Sequence, residues 1–186
     1  MSKSEMPVTG PGPVVRGALG VHLDFGALHA VEMAHGHAVR WARVPYPAGA
    51  EPGTEAFPAF LKKNLTDFIP AHRRLPVWVV GPIPGLQVRF LTLPKVRSSQ
   101  VSKLVYWTFR KEIPFDPAQT VFDYDVEGES TATGQARKLE ATAYTVTQAD
   151  IDALAGLFEG AGIHVEGIVI PSFAMRNLFR GPLAHG

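Results

Sequence analysis

Residues 93–126, LPKVRSSQVSKLVYWTFRKEIPFDPAQTVFDYDV, decide how this chain is read. Val101, Leu104, Val105 and Phe109 recur at the 3.6-residue spacing that lines one side of a helix, the side turned towards a core. Ser98 or Ser99 offers a hydroxyl to cap the helix start. Lys103 and Arg110 fall on the opposite, wet side, and Tyr106 and Trp107 lie on the two shoulders between them. Pro114 pushes Ile113 out of helical geometry and so ends the helix. Beyond it, residues 121–126 (VFDYDV) alternate apolar and polar side chains as a half-buried strand does.

Working outward towards the N-terminus, residues 86–93 alternate as another strand, and Pro82, Pro84 and Gly85 before them mark the start of a new subdomain near Gly85. Residues 77–81 (VWVVG) form a short apolar run, which predicts a strand buried on both faces and parallel to a neighbour. Phe57, Phe60, Leu61, Leu65 and Phe68 form a helical stripe within residues 54–69, ended by Pro70. Residues 17–24, 27–33 and 38–46 predict three antiparallel strands joined by tight turns at Phe25-Gly26 and His35-Gly36.

On the C-terminal side, residues 128–135 predict a turn or loop and 136–146 the returning strand of a hairpin. Thr147 and Asp150 have capping-box spacing ahead of a helix with Ile151, Leu154, Ala155, Phe158 and Ala161 on its apolar side, ended by Gly162. A last strand is predicted over 163–170, broken by Pro171, and a further helix begins over 172–179. The expected organisation is an arm over 1–16 without fixed structure, an α/β core over 17–84, an inserted two-layer subdomain with its return strand over 85–170, and a terminal helix and tail over 171–186.

Composition narrows the function. A formal charge of +1, with no long run of like charges, gives none of the basic field that nucleic acid would require, so no nucleic-acid partner is expected. The absence of cysteine removes disulfides, thiolate metal sites and thiol nucleophiles, and suits the cytoplasm. No uninterrupted apolar stretch reaches the ~18 residues of a bilayer span, and the first residues lack the apolar centre of a signal peptide. Any membrane association is therefore expected to run through a partner.

The Trp-bearing helix, the Ile-Pro-Phe stop and the Asp-Tyr strand, here Trp107, Ile113, Pro114, Phe115, Asp123 and Tyr124, resemble the type IV pilus assembly PilM family. The resemblance runs from Gly17 to about Phe179 and extends to relatives of that family, the division protein FtsA and the cytoplasmic part of the type II secretion protein GspL. It implies an α/β (mixed α+β) chain, the first half of an actin-like, ribonuclease H-like fold with an inserted strand-helix-strand-strand subdomain. In such proteins a second half of equal size, carrying the other phosphate loop and the adenosine pocket, would follow. Whether the chain is a natural half or a fragment is open from the sequence.

In that family the turn between the first two strands is rich in Gly, Ser and Thr, because backbone N–H groups and hydroxyls approach phosphates there. By position, His22 stands here for the acidic residue, Asp24 for a glycine, Phe25 and Ala27 for hydroxyl residues and His29 for a basic one. Gly26 alone keeps the permissive backbone. The resemblance thus implies a degenerate nucleotide loop, an ordinary hairpin turn is the simpler reading, and neither ATP nor magnesium is expected as a cofactor.

The resemblance also implies a partner, the cytoplasmic N-terminal tail of a PilN-like inner-membrane protein. The tail would lie in a groove lined by Gln87, Val88, Arg89 and Phe90 and, from the helix, Val101, Leu104, Val105, Tyr106, Trp107 and Phe109. Tyr and Trp are apt anchors for such contacts, although aromatics on a helix shoulder also serve as core. The implied function is a non-catalytic cytoplasmic scaffold of a pilus or secretion platform at the inner membrane. The alternative is half of an actin-like ATPase whose second half is missing or on another chain. Association between copies of the chain is open.

Two further clusters bear on chemistry. His22, His29, His35 and His37 suggest a metal, but the His35-Gly36-His37 run straddles a predicted turn and lacks zinc spacing, so no metal site is expected. Asp123, Asp125 and Glu127 alternate along one strand and share a face, which predicts a solvated surface rather than acid/base chemistry, since no base is placed beside them. No catalytic residue is expected.

Overall fold

The computed structural model describes residues 17–69, 75–130, 138–171 and 174. The N-terminal arm, the Pro70 stop, most of the predicted 128–135 turn and nearly all of the terminal helix and tail lie outside the described residues. The elements are β1 (Gly17–Leu23), β2 (Ala27–Ala34), β3 (His37–Pro45), α1 (Phe57–Leu65), β4 (Val77–Val80), β5 (Gln87–Pro94), α2 (Ser98–Glu112), β6 (Thr120–Ser130), β7 (Lys138–Thr147), α3 (Gln148–Glu159) and β8 (Gly167–Ile168). They form two compact units, one of Met1–Pro82 with Gly156–Gly186 and the other Ile83–Ala155.

In the first unit the strand order is β3-β2-β1-β4-β8. β1, β2 and β3 pair antiparallel, while β4 lies parallel to β1 and β8 parallel to β4. Leu19, Val21 and Leu23 of β1 are buried on alternate positions, together with Leu28 and Ala30 of β2. The predicted helical stripe of Phe57, Phe60, Leu61, Leu65 and Phe68 is wholly buried. The helix is shorter than residues 54–69. Pro58 sits in its first turn, which fits a start at Phe57, and the N–H of Thr54 bonds the Glu51 carbonyl in a preceding turn. At its end the N–H groups of Phe68 and Ile69 both bond the Leu65 carbonyl, leaving Phe68 in the core but outside the helix.

Two strand expectations are corrected. β4 is parallel, as predicted, but is not buried on both faces: Val77 and Val79 are enclosed while Trp78 is exposed. The Trp78 ring lies across Gly167, where a Cβ would come within 2.4 Å of it, so glycine is what admits this approach. The predicted strand over 163–170 reduces to the two residues of β8. Its first part is consumed in ending α3: the Ile163 N–H reaches back to the Phe158 carbonyl and the Gly162 N–H to that of Glu159, with Gly162 at φ 75°.

In the second unit the order is β5-β7-β6, all antiparallel, and α2 covers one face. Leu91 and Leu93 of β5, Leu139, Ala141 and Ala143 of β7, and Val105 and Phe109 of α2 form its core. The residue before α2 is the extended Arg97 and no side chain caps the helix, so Ser98 and Ser99 are its first residues rather than its cap. Ile113 is extended at φ −126°, ψ 95°, as a residue before proline must be. β6 runs on to Ser130, beyond the predicted turn start at 128, by means of a register shift between Val126 and Gly128. The expected Thr147 cap of α3 is formed, with Asp150 contacting its hydroxyl rather than its backbone: Thr147 Oγ accepts from the Asp150 N–H at 3.1 Å and donates to its carboxylate at 2.6 Å. No helix among the described residues is long and apolar enough to cross a membrane.

Candidate functional sites

The β1–β2 turn is organised by Asp24. Its Oδ1 accepts hydrogen bonds from the backbone N–H groups of Gly26 and Ala27, each at 2.6 Å, and its Oδ2 lies 2.7 Å from His29 Nε2. These are the groups a phosphate would need: two N–H donors at a tight turn with a basic ring beside them. The hydrogen bond from Gly26, then the His29 contact and that from Ala27, lower the Asp24 carboxyl to about 2. Phe25 projects wholly into solvent. A charge that repels phosphate was legible in the sequence; that the same carboxylate occupies the donors was not, because it depends on the turn's backbone.

Beside this turn, the Tyr46 N–H bonds the Gly26 carbonyl at 3.1 Å, and the Tyr46 ring packs edge-on against Phe57 and Phe60. Its hydroxyl is buried without a hydrogen-bond partner among the described residues. Burial first, and the Asp24 charge second, push it up to about 12. The four histidines are dispersed: His22 and His29 face each other across β1 and β2, His35 occupies the β2–β3 turn at φ 51°, and His37 pairs with Ala34.

In the second unit, the residues expected to line a docking groove divide into three groups. Val105 and Phe109 have no exposed surface, and Val101 and Leu104 pack against the same core. The expectation that Val105 and Phe109 line a groove is corrected, because α2 turns them onto the sheet, whereas Val101 and Leu104 are only partly buried. Within β5, Leu91 and Leu93 face α2, so by alternation Gln87 and Arg89 share that side, and Arg89 Nε lies 3.7 Å from the Glu112 carboxylate of α2. Val88 and Phe90 therefore point to the opposite face of the sheet, away from Tyr106 and Trp107.

Tyr106 and Trp107 do occupy the shoulder. Trp107 is 52% exposed and Tyr106 half-buried, with their rings edge-on at 5.3 Å. Tyr106 also meets Phe115 and Phe122 edge-on at 5.8 and 5.3 Å, and Phe115 stacks on Phe122 at 6.0 Å. The Arg110 guanidinium lies 5.9 Å from the Tyr106 and Phe115 ring centres and 5.6 Å from that of Trp107. The Ile-Pro-Phe stop therefore does more than end the helix, since it folds Phe115 back under α2. Neither Phe115 nor Phe122 is among the residues expected at the groove, although a Phe directly after the helix-ending Pro is a usable signal.

The acidic trio lies on the sheet face away from α2. Asp123 accepts a hydrogen bond from Tyr144 Oη at 2.8 Å, and Glu127 accepts one from Thr142 Oγ. Burial first, then the Asp123 hydrogen bond, raises the Tyr144 phenol. The face is thus more ordered than a merely solvated surface.

No family model matches the sequence, and no curated protein matches it. Among solved structures, a chain of a PilM-PilN type IV pilus biogenesis complex matches 90% of this chain at 23% identity and a TM-score of 0.62, over 51% of its own length. The cytoplasmic domain of EpsL, an inner membrane component of the type II secretion system of Vibrio cholerae, matches 83% of this chain and 56% of its own at 12% identity and TM-score 0.47. A Bacteroides thetaiotaomicron protein with an actin-like ATPase fold matches 89% and 56% at 9% identity and TM-score 0.40. The chain spans about half the length of each. It has, over that span, the mixed α+β fold of the chain from the PilM-PilN complex.

Proposed function

We propose that this chain is a non-catalytic scaffold of a type IV pilus or type II secretion platform, working at the cytoplasmic side of the inner membrane by docking the tail of a PilN-like membrane protein. The observation that carries this reading is the structural likeness, across 90% of the chain, to a component of a PilM-PilN complex. The exposed ledge of Tyr106, Trp107 and Arg110 supports it, since aromatic rings and arginine dominate the energetics of docked surfaces.

The non-catalytic part rests on the β1–β2 turn. A phosphate entering there would have to displace the Asp24 carboxylate from the Gly26 and Ala27 N–H groups while facing its negative charge. The chain is accordingly proposed to need neither ATP nor magnesium, and calorimetric titration with Mg-ATP should show no saturable heat.

The decisive test recovers the tagged chain from solubilised membranes of its native cells, beside Trp107→Ala and Tyr106→Ala. A single-span inner-membrane protein that accompanies the wild type and is lost with either variant is the expected result. Recovery of only a soluble chain or a nucleotide would overturn the scaffold in favour of half an ATPase.

A further inference from the structure

β3 is the outer strand of the five-stranded sheet and pairs with β2 along one side only. Which of its backbone groups are free follows from the turn beside it. The Tyr46 N–H bonds the Gly26 carbonyl, so in the same register Val44, Ala42 and Arg40 exchange bonds with β2, and Trp41 and Arg43 turn their N–H and C=O groups outward. The side chains divide in the same way. Arg40 and Ala42 stand opposite Glu32 and Ala30 on the face that holds the core, which leaves Trp41 and Arg43 together on the other. Trp41 is 74% exposed, and Arg43, also exposed, has no ion-pair partner among the described residues. The free edge is bounded at both ends: Val39 is an extra residue at the register shift between Glu32 and Met33, and Pro45 has no N–H to offer.

We infer that this edge pairs antiparallel with the same edge of a second copy of the chain, about a two-fold axis through Ala42. In that register Trp41 of each copy stands opposite Arg43 of the other, and each of these pairs exchanges both of its outward backbone hydrogen bonds. On the shared face a guanidinium then meets an indole ring on either side of the axis. The edge is complementary to itself because its exposed ring and its unpaired cation are two positions apart, and the axis exchanges them. A bulge, a charge and a proline are devices that keep an edge unpaired, but they do not account for a tryptophan left in water between them. Here they confine the pairing to one register, and a two-fold contact consumes both edges, so association stops at the dimer. The inference stands apart from the docking role proposed above, whose residues belong to the other unit.

The test is sedimentation velocity of the whole chain over a wide range of concentration, which should show a monomer–dimer equilibrium. Trp41→Ala should weaken it about tenfold, since the axis counts each lost ring contact twice. Trp41→Lys, which sets like charges opposite each other, should abolish it. Trp41→Glu, equally polar but opposite in charge to Arg43, should associate more tightly than Trp41→Lys. The register is tested separately. The sequence has no cysteine, so Ala42→Cys places a single thiol on the axis, where paired Cα atoms lie about 4.5 Å apart and within reach of a disulfide. Oxidation should give a covalent dimer, whereas His37→Cys, displaced along the strand from its own copy, should give none. Circular dichroism checks that the variants fold. A chain that stays monomeric, association indifferent to the sign of the charge at position 41, or His37→Cys cross-linking as readily as Ala42→Cys would overturn the inference.

Discussion

Carboxylates occupy both candidate regions of this molecule, and they are used in opposite ways. Asp24 sits at a turn, and its oxygens fold back onto the Gly26 and Ala27 N–H groups and onto His29. Asp123, Asp125 and Glu127 sit on a strand whose pairing with β7 is set by the backbone. Asp123 reaches sideways to Tyr144 and also accepts from the Tyr124 N–H, and Glu127 reaches Thr142. The acid at the turn bonds its own backbone, whereas Asp123 and Glu127 bond hydroxyls of the neighbouring strand.

That contrast requires the second sheet to be held rigidly from behind, and the largest predicted effect tests this. Phe109→Ala removes a fully buried ring from the core between α2 and the sheet and should cost about 3–5 kcal/mol in chemical denaturation. Trp107→Ala, half-exposed on the same helix, should cost no more than ~1 kcal/mol. Equal losses would abolish the distinction between the residues α2 buries and those it presents.

A second prediction places another carboxylate beside Asp24. Glu32 is only 5% exposed and is held by Arg40 at 3.1 Å, whose guanidinium also lies 4.0 Å above the Phe68 ring. Arg40→Ala should destabilise the chain by about 1–2 kcal/mol, discounted because the arginine is itself well exposed. Adding Glu32→Gln should restore part of the loss. If it restores none, packing of Arg40 on Phe68 is the larger contribution.

How much of this was legible follows from what is local. The antiparallel strands β1 and β2, the α1 stripe, the Thr147 cap and the Pro114 stop depend on neighbours in sequence, and each appears where expected. The side on which Phe90 points depends on which β5 residues α2 covers, a tertiary fact that no pattern in residues 87–90 contains. The ring stacking of Phe115 on Phe122 joins a turn to a strand, and β8 is limited by how α3 ends and by Trp78 crossing Gly167. The α2 stripe faces the core, as its period implies, and the same residues were also expected to line a groove. Val105 and Phe109 cannot serve both purposes, and burial decides for the core.

The two smallest effects concern the Asp24 turn itself. Tyr46→Phe deletes a buried hydroxyl that has no hydrogen-bond partner among the described residues, and should leave stability unchanged or raise it by up to ~1 kcal/mol. A clear loss would show that the hydroxyl is satisfied after all. For Asp24, the carboxyl titrates at about 2 when folded against an ordinary value of 3.8, so the charged form is favoured by the native turn. A lowered carboxyl contributes stability that is complete above the unfolded value and disappears as pH falls through the folded one. Asp24→Asn keeps an oxygen for the turn but cannot ionise. The melting-temperature gap between wild type and Asp24→Asn should therefore be widest near pH 5 and close as the pH falls towards about 2. A gap that stays constant across that range would mean that the Gly26 and Ala27 N–H groups do not hold the charge, and that the turn remains open to an anion.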